Sequence, residues 1–218
     1  MKVVIADHDE LTRSLLKYWA GEETRAEIVG ETSTGDDVVE LLVKCKADLL
    51  LIDPSIPGKS SFSIVRELLG ERPEARLMAL YGSDKPFLVD MMRKVGFHGC
   101  VSKKSNTISK LLQAVLSVMD GNAYYCAETC RILNTLYADN ASFVHVLSLR
   151  EQEVLCLIAD GWGNERIGSK FKLSPATVQT HRRNLFRKLG IHDTPSLMCY
   201  AREKGFDPRC VDLDFSLM

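Results

Sequence analysis

No uninterrupted run of 18 or more apolar residues occurs in the 218-residue chain, so nothing in it reads as a membrane-spanning helix. The opening residues, Met1-Lys2-Val3-Val4-Ile5-Ala6-Asp7, lack the pattern of a secretory leader, and a cytoplasmic protein is expected. The seven cysteines are scattered, odd in number and without a CxxC pair. That argues against a disulfide framework or a zinc site and for buried thiols in a reducing compartment. Cys126 and Cys130, at i and i+4, can share a helix face, where packing rather than redox sensing is the expected role. No Ser-His-Asp, Cys-His or metal-hydrolase constellation is visible, and no catalytic enzyme is expected.

Net charge is only −1, but the balance conceals a difference between segments. Residues 1–120 hold 16 Lys and Arg against 18 Asp and Glu, whereas residues 147–206 hold 10 against 6. A basic C-terminal segment beside a slightly acidic N-terminal one points to an anionic partner for the second alone.

What is present is a clear alternation of periods. Short apolar runs at 3–6, 27–30, 48–52, 76–80 and 99–101 read as five strands. Helical patterns fall between and after them at about 10–20, 35–45, 61–69, 85–95 and 105–119. In the last, Ile108, Leu111, Leu112, Val115, Leu116 and Met119 recur at helical spacing. Strand–helix alternation with nearly continuous apolar strands implies a doubly wound α/β domain, a five-stranded parallel sheet of order 2-1-3-4-5, over residues 1–120. Residues 121–146, with a short helix at 128–137 and the polar stretch Ala138-Asp139-Asn140-Ala141-Ser142, read as a linker. Residues 147–206 read as an all-α domain of four helices at about 149–160, 164–171, 174–189 and 193–204, with 207–218 as a tail.

Ligands of open α/β sheets sit beyond the carboxyl ends of the strands. There the expected first and third strands, neighbours in this order, end in Asp7 and Asp53, and Lys103 follows the fifth. Two carboxylates and an ammonium on one rim suit phosphoryl transfer. A carboxylate can attack phosphorus, a divalent metal screens the charge, and lysine neutralises the acquired oxygens.

Val4-Ile5-Ala6-Asp7, Leu51-Ile52-Asp53-Pro54-Ser55-Ile56-Pro57-Gly58 and Val101-Ser102-Lys103 resemble the signatures of response-regulator receiver domains. The resemblance implies that Asp53 is the phosphoacceptor and that Asp7 belongs to an acidic pocket. It further implies that Lys103 contacts the phosphoryl group and that the Ser55 carbonyl is a ligand of Mg²⁺. Three positions depart from the pattern. His8 stands where the family has a second acid that binds the metal, and imidazole is a poor ligand for Mg²⁺; Asp9 is the nearest substitute. Tyr81 replaces the small switch hydroxyl after strand four, and Cys100 replaces the switch aromatic on strand five.

In the basic domain, Gly161 to Lys170 followed by Phe171-Lys172-Leu173-Ser174 reads as helix, turn and new helix. Ser174 suits an N-cap, Pro175 the first helical position, and Gly168 a close approach of two helices. In the following helix Val178, Leu185 and Leu189 face inward with Phe186 beside them. Gln179, Thr180, Arg183 and Arg187 face out, and the segment contains no acid. Such side chains read base edges in the major groove and clamp phosphates.

Leu147 to Leu155, Asn164 to Ile167, Thr177 to Leu185 and Lys188-Leu189-Gly190 resemble the LuxR-type helix-turn-helix. With the receiver, this is the NarL/FixJ arrangement of two-component response regulators. The resemblance implies base contacts from Gln179, Thr180 and Arg183, and phosphate contacts from Thr177, His181 and Lys188. Glu151 is implied as an interhelical contact, and Leu197, Met198 and Ala201 as part of a two-fold dimer helix. The partners it implies are double-stranded DNA at an inverted-repeat promoter site, a second copy of the chain and a sensor histidine kinase. Two rivals remain: a phosphorylation-independent DNA-binding regulator with a degenerate receiver, and a phosphotransfer or protein-interaction antagonist that does not use DNA.

Overall fold

A computed structural model describes residues 1–22, 25–104 and 107–211. In chain order the elements are β1 (Lys2–Ala6), α1 (Glu10–Glu22), β2 (Glu27–Thr32), α2 (Val38–Cys45), β3 (Leu49–Ile52), α3 (Ser61–Glu71), β4 (Arg76–Tyr81) and α4 (Pro86–Lys94). There follow β5 (Gly99–Ser102), α5 (Ile108–Met119), β6 (Tyr124–Tyr125), α6 (Ala127–Ala138), α7 (Phe143–Val146), α8 (Leu149–Ala159), α9 (Asn164–Phe171), α10 (Pro175–Leu189) and α11 (Thr194–Lys204). The chain divides into two compact units, Met1–Asp84 with Met92–Arg131, and Lys85–Met91 with Ile132–Met218.

In the first unit every strand pairs in parallel, in the order β2-β1-β3-β4-β5-β6. β3 and β5 are buried at each position, which explains why Leu49–Ile52 and Gly99–Val101 are continuous apolar runs rather than alternating ones. Val3, Ile5, Leu49, Leu51, Met78, Leu80 and Val101 pack with Leu16 and Trp19 of α1 and with Ala114, Val115 and Val118 of α5. The alternate strand residues Val4, Leu50 and Ile52 are just as buried. Each fully buried aliphatic side chain of this kind contributes about 1.5–3 kcal/mol.

The sixth strand extends the five-stranded expectation. Tyr124 and Tyr125, inside the expected linker, pair with Gly99 and Cys100, and the Tyr125 hydroxyl donates to the Phe97 carbonyl (2.9 Å). Two residues are too few to show a period, so sequence pattern gave no sign of the strand. α5 starts on a Thr107 cap that accepts from the Lys110 amide. The expected start of that helix at 105–106, and the tail beyond 211, lie outside the described residues.

The second unit is built around α8, whose residues Val154–Ala159 are all buried, with α10 and α11 packed on it. Ser148 and Glu151 close a reciprocal capping box at its start. Gly168 allows the tight α9–α10 turn: a Cβ there would lie 2.7 Å from the Leu173 carbonyl oxygen. Ser174 caps α10 by accepting from the Thr177 amide, and Pro175 occupies the first turn.

Candidate functional site

Ala6 and Ile52 are directly paired at the ends of β1 and β3, so the next residues, Asp7 and Asp53, leave the sheet side by side. The Lys103 Nζ, just past β5, donates to Asp7 Oδ2 and Asp53 Oδ2, at 2.6 Å each. Both acids are buried, at 1% and 3% exposure, with one ammonium for two carboxylates. Burial pushes the Asp53 carboxyl up, but the Lys103 ammonium and the Ser55 hydrogen bonds outweigh it and hold the pKa below the usual aspartate value. Burial likewise favours neutral Lys103, and the two carboxylates reverse that, raising its pKa. The strand-end trio expected from sequence is thus brought together.

Around it, the placements differ in instructive ways. Ser55 donates both its amide (2.7 Å) and its hydroxyl (2.6 Å) to Asp53 Oδ1, a side-chain role that the sequence reading, which singled out only its carbonyl, did not foresee. His8 is exposed, with Nδ1 3.8 Å from Asp7 Oδ1. Among the described residues Asp7, His8 and Asp53 form one cluster whose ligand atoms all lie within 4.8 Å of one another. Asp9 does not join it. Its carboxylate is committed to the first turn of α1, accepting from the Leu11 amide (3.1 Å) and the Thr12 hydroxyl (2.7 Å).

Tyr81 turns inward. It is 1% exposed and its hydroxyl pairs with Thr129 Oγ1 at 2.7 Å, while Thr129 also donates to the Cys100 carbonyl (3.2 Å). Burial raises the phenol pKa and pushes up the fully enclosed Cys100 thiol. Both altered switch positions therefore meet at Thr129 in α6, a residue that sequence reasoning missed because its partners are 48 and 29 residues away. Cys126 is buried and Cys130 exposed, so the pair does not share one environment.

In the second unit, Gln179, Thr180 and Arg183 are exposed on α10, while Val178 and Leu185 are buried. Gln179 Oε1 accepts from the Asn164 side-chain amide of α9 at 2.7 Å, so its carboxamide is oriented before any ligand arrives. Thr180 Oγ1 donates to the Ala176 carbonyl (3.1 Å), and Thr177 Oγ1 pairs with Ser174 Oγ (2.9 Å). His181 is half-buried. Arg182 is folded inward, 8% exposed, donating to the Trp162 carbonyl at 2.6 Å. Lys188 donates to Glu151 Oε2 at 2.7 Å. Burial raises the Glu151 carboxyl, and Lys188 with Ser148 outweighs that to hold its pKa below normal. The expected dimer residues need correction. Leu197 and Ala201 are 0% exposed within a single chain, held in the core where α11 packs on α8. Met198, the third expected dimer residue, is half-buried, and the exposed positions of α11 include Pro195, Ser196 and Cys199.

Two family matches agree with this geometry: the response regulator receiver domain over residues 3–116, and bacterial regulatory proteins of the luxR family over residues 145–201. The chain belongs to the response regulator receiver family, with a LuxR-type DNA-binding domain as its second part. It is 29% identical over 214 residues to the oxygen regulatory protein NreC of Staphylococcus aureus, covering 94% of this chain and 98% of that one. It is 26% identical over 201 residues to the Fimbriae Z protein of Salmonella typhimurium, covering 92% and 95%. The Salmonella typhimurium RcsB response regulator, solved in a study of its conformational dynamism for DNA interaction, superposes with a TM-score of 0.67 at 22% identity, covering 94% and 98%. A structure of two RcsB dimers bound to two parallel DNAs gives 0.65 at 22%, covering 93% and 98%.

Receiver domains commonly bind Mg²⁺ at an acidic site, and Asp7, His8 and Asp53 form a cluster at that place. This architecture is of a transcription-factor type. Among the described residues no helix is long and apolar enough to cross a membrane.

Proposed function

We propose that residues 147–206 bind duplex DNA through α10, with Gln179, Thr180 and Arg183 reading base edges, under the control of a receiver at residues 1–120 joined by residues 121–146. The observation that carries this reading is the exposed, acid-free outer face of α10 beyond a turn fixed by Gly168. Glutamine and arginine are the side chains that pair with adenine and guanine edges. Thr177 and His181 serve phosphates, whereas Lys188 is left out of that set because its ammonium is held by Glu151. A homodimer, formed through the outward face of α11, would set two α10 helices about one DNA turn apart, roughly 34 Å, on an inverted repeat. Fluorescence anisotropy on a selected duplex and its scrambled counterpart tests the reading. Preference for the selected duplex, lost in Arg183→Ala, is expected; equal binding to both overturns it.

In the receiver, Asp53 is the phosphoacceptor and a sensor histidine kinase the donor, with Lys103 neutralising the phosphoryl oxygens. The new charge would bias an existing equilibrium between receiver states. Aspartyl phosphate formed with acetyl phosphate or phosphoramidate, and lost in Asp53→Asn, tests this. For Mg²⁺ the donors are a poor fit: imidazole replaces the second acid, Asp9 is committed to α1, and both buried carboxylates already share Lys103. One observation favours a second reading, a DNA-binding regulator that works without phosphorylation. The Tyr81 hydroxyl is tied to Thr129 inside the fold, leaving the end of β4 without the small hydroxyl that meets a phosphoryl group.

A further inference from the structure

We propose that the helix-turn-helix unit holds a binding site for a small organic carboxylate with an apolar body, in which the Arg182 guanidinium pairs with the carboxylate. The site is a cavity of about 380 Å³ walled by the end of α8, the α8–α9 turn, α10 and α11. Small-molecule pockets hold roughly 300–1,000 Å³ and are mostly apolar, with a few placed polar groups. Here Ile158, Trp162, Phe186 and Met198 supply apolar walls, and no residue lining the cavity is acidic. Gln179 and Thr194 line it too and are exposed, so it opens to solvent beside them.

Val178, Arg182 and Leu185 form the buried stripe of α10, so helical spacing carries a guanidinium into a position that otherwise takes an apolar side chain. Arg182 lines the cavity and is 8% exposed. A guanidinium has five N–H donors. Among the described residues only the Trp162 carbonyl engages this one, accepting from Nη2 at 2.6 Å, and the enclosed Nε has no partner. Desolvation lowers the Arg182 pKa, and no carboxylate opposes it. A buried cation without a counter-charge is costly, and a carboxylate meets a guanidinium through two parallel bonds. One cation matches one negative charge, whereas a phosphate dianion would bring a charge too many into apolar surroundings. The walls are set beforehand. Trp162 Nε1 donates to Asp160 Oδ2 (2.9 Å), the Arg166 guanidinium lies 3.5 Å from the Trp162 ring centroid, and Asn164 donates to Gln179. None of this depends on whether α10 reads DNA.

The test uses the full chain carrying Trp19→Phe, so that Trp162 in the cavity wall reports binding by its fluorescence. The probes are 4-phenylbutyrate, its neutral amide, acetate and inorganic phosphate, each titrated to millimolar concentration. The expected result is a saturable change of Trp162 emission with 4-phenylbutyrate, and affinities at least about tenfold weaker for the amide, for acetate and for phosphate. Arg182→Met should weaken 4-phenylbutyrate by a similar factor and leave the amide unchanged. Methionine restores an apolar stripe, which favours folding of that variant; the comparison of acid with amide on the parent protein needs no variant at all. Four results overturn the assignment: no saturable response to 4-phenylbutyrate, equal affinity for acid and amide, acetate or phosphate binding as tightly, or unchanged affinity for the acid in folded Arg182→Met.

Discussion

Lys103 and Lys188 do similar work at opposite ends of the chain, and the difference between them separates a site from a strut. Each places its ammonium on buried carboxylate, at 2.6 Å from both Asp7 and Asp53 in the first case and at 2.7 Å from Glu151 in the second. At Glu151 the charges match one to one, and a capping box takes up the same carboxylate, so nothing further is wanted there. At the strand ends two acids face one ammonium. Leftover charge, held rigid at a rim where ligands bind, is the mark of a place where something else arrives.

The largest expected effect comes from removing the shared ammonium. Lys103→Met leaves two buried carboxylates facing each other, at a cost of about 3–5 kcal/mol. Urea unfolding followed by Trp19, in a Trp162→Phe background, should show it, and the deficit should shrink as pH falls through the carboxylate range and one acid takes up a proton. Lys188→Met should cost less, about 1–3 kcal/mol, because it uncovers one carboxylate rather than two and Ser148 still donates to it. Trp162 fluorescence in a Trp19→Phe background reads it.

The pH dependence distinguishes the parent from this variant. In the parent, Glu151 has a lowered pKa, so its stabilising contribution is complete above the normal glutamate value and is lost as pH falls through the lower, folded value. In Lys188→Met only the Ser148 hydrogen bonds still oppose burial, so the Glu151 pKa moves upward from its parent position, and the deficit is greatest near neutrality and fades in acid. A deficit independent of pH would mean that the lysine acts through packing alone.

Arg183→Ala should weaken binding to a preferred duplex by about 1–3 kcal/mol while scarcely changing binding to random DNA. Equal losses on both would make Arg183 a phosphate contact. Smallest of all, Tyr81→Phe should cost about 1 kcal/mol, because Thr129 keeps its bond to the Cys100 carbonyl. Thermal melts suffice to measure it.

The sequence made the sheet order and the pocket trio legible because both follow from local pattern: short apolar runs, with Asp7, Asp53 and Lys103 just past the first, third and fifth. The helix-turn-helix was legible for the same reason, since Ser174, Pro175 and Gly168 are local signals. What stayed hidden depends on contacts far apart in sequence. β6 shows no period, Thr129 meets Tyr81 across 48 residues, and the Arg182 guanidinium is held by the Trp162 carbonyl 20 residues away. Leu197 and Ala201 illustrate the same limit. Helical spacing shows that they share a face but not whether that face meets the chain's own core or a second chain.

The most direct measurement is a selection of duplexes from a random pool by the purified full-length protein at moderate salt. If α10 reads bases within a two-fold dimer, the recovered sequences share an inverted repeat with half-sites about one turn apart and are displaced poorly by scrambled competitor. Recovery of no shared sequence, with scrambled DNA competing equally well, would contradict it.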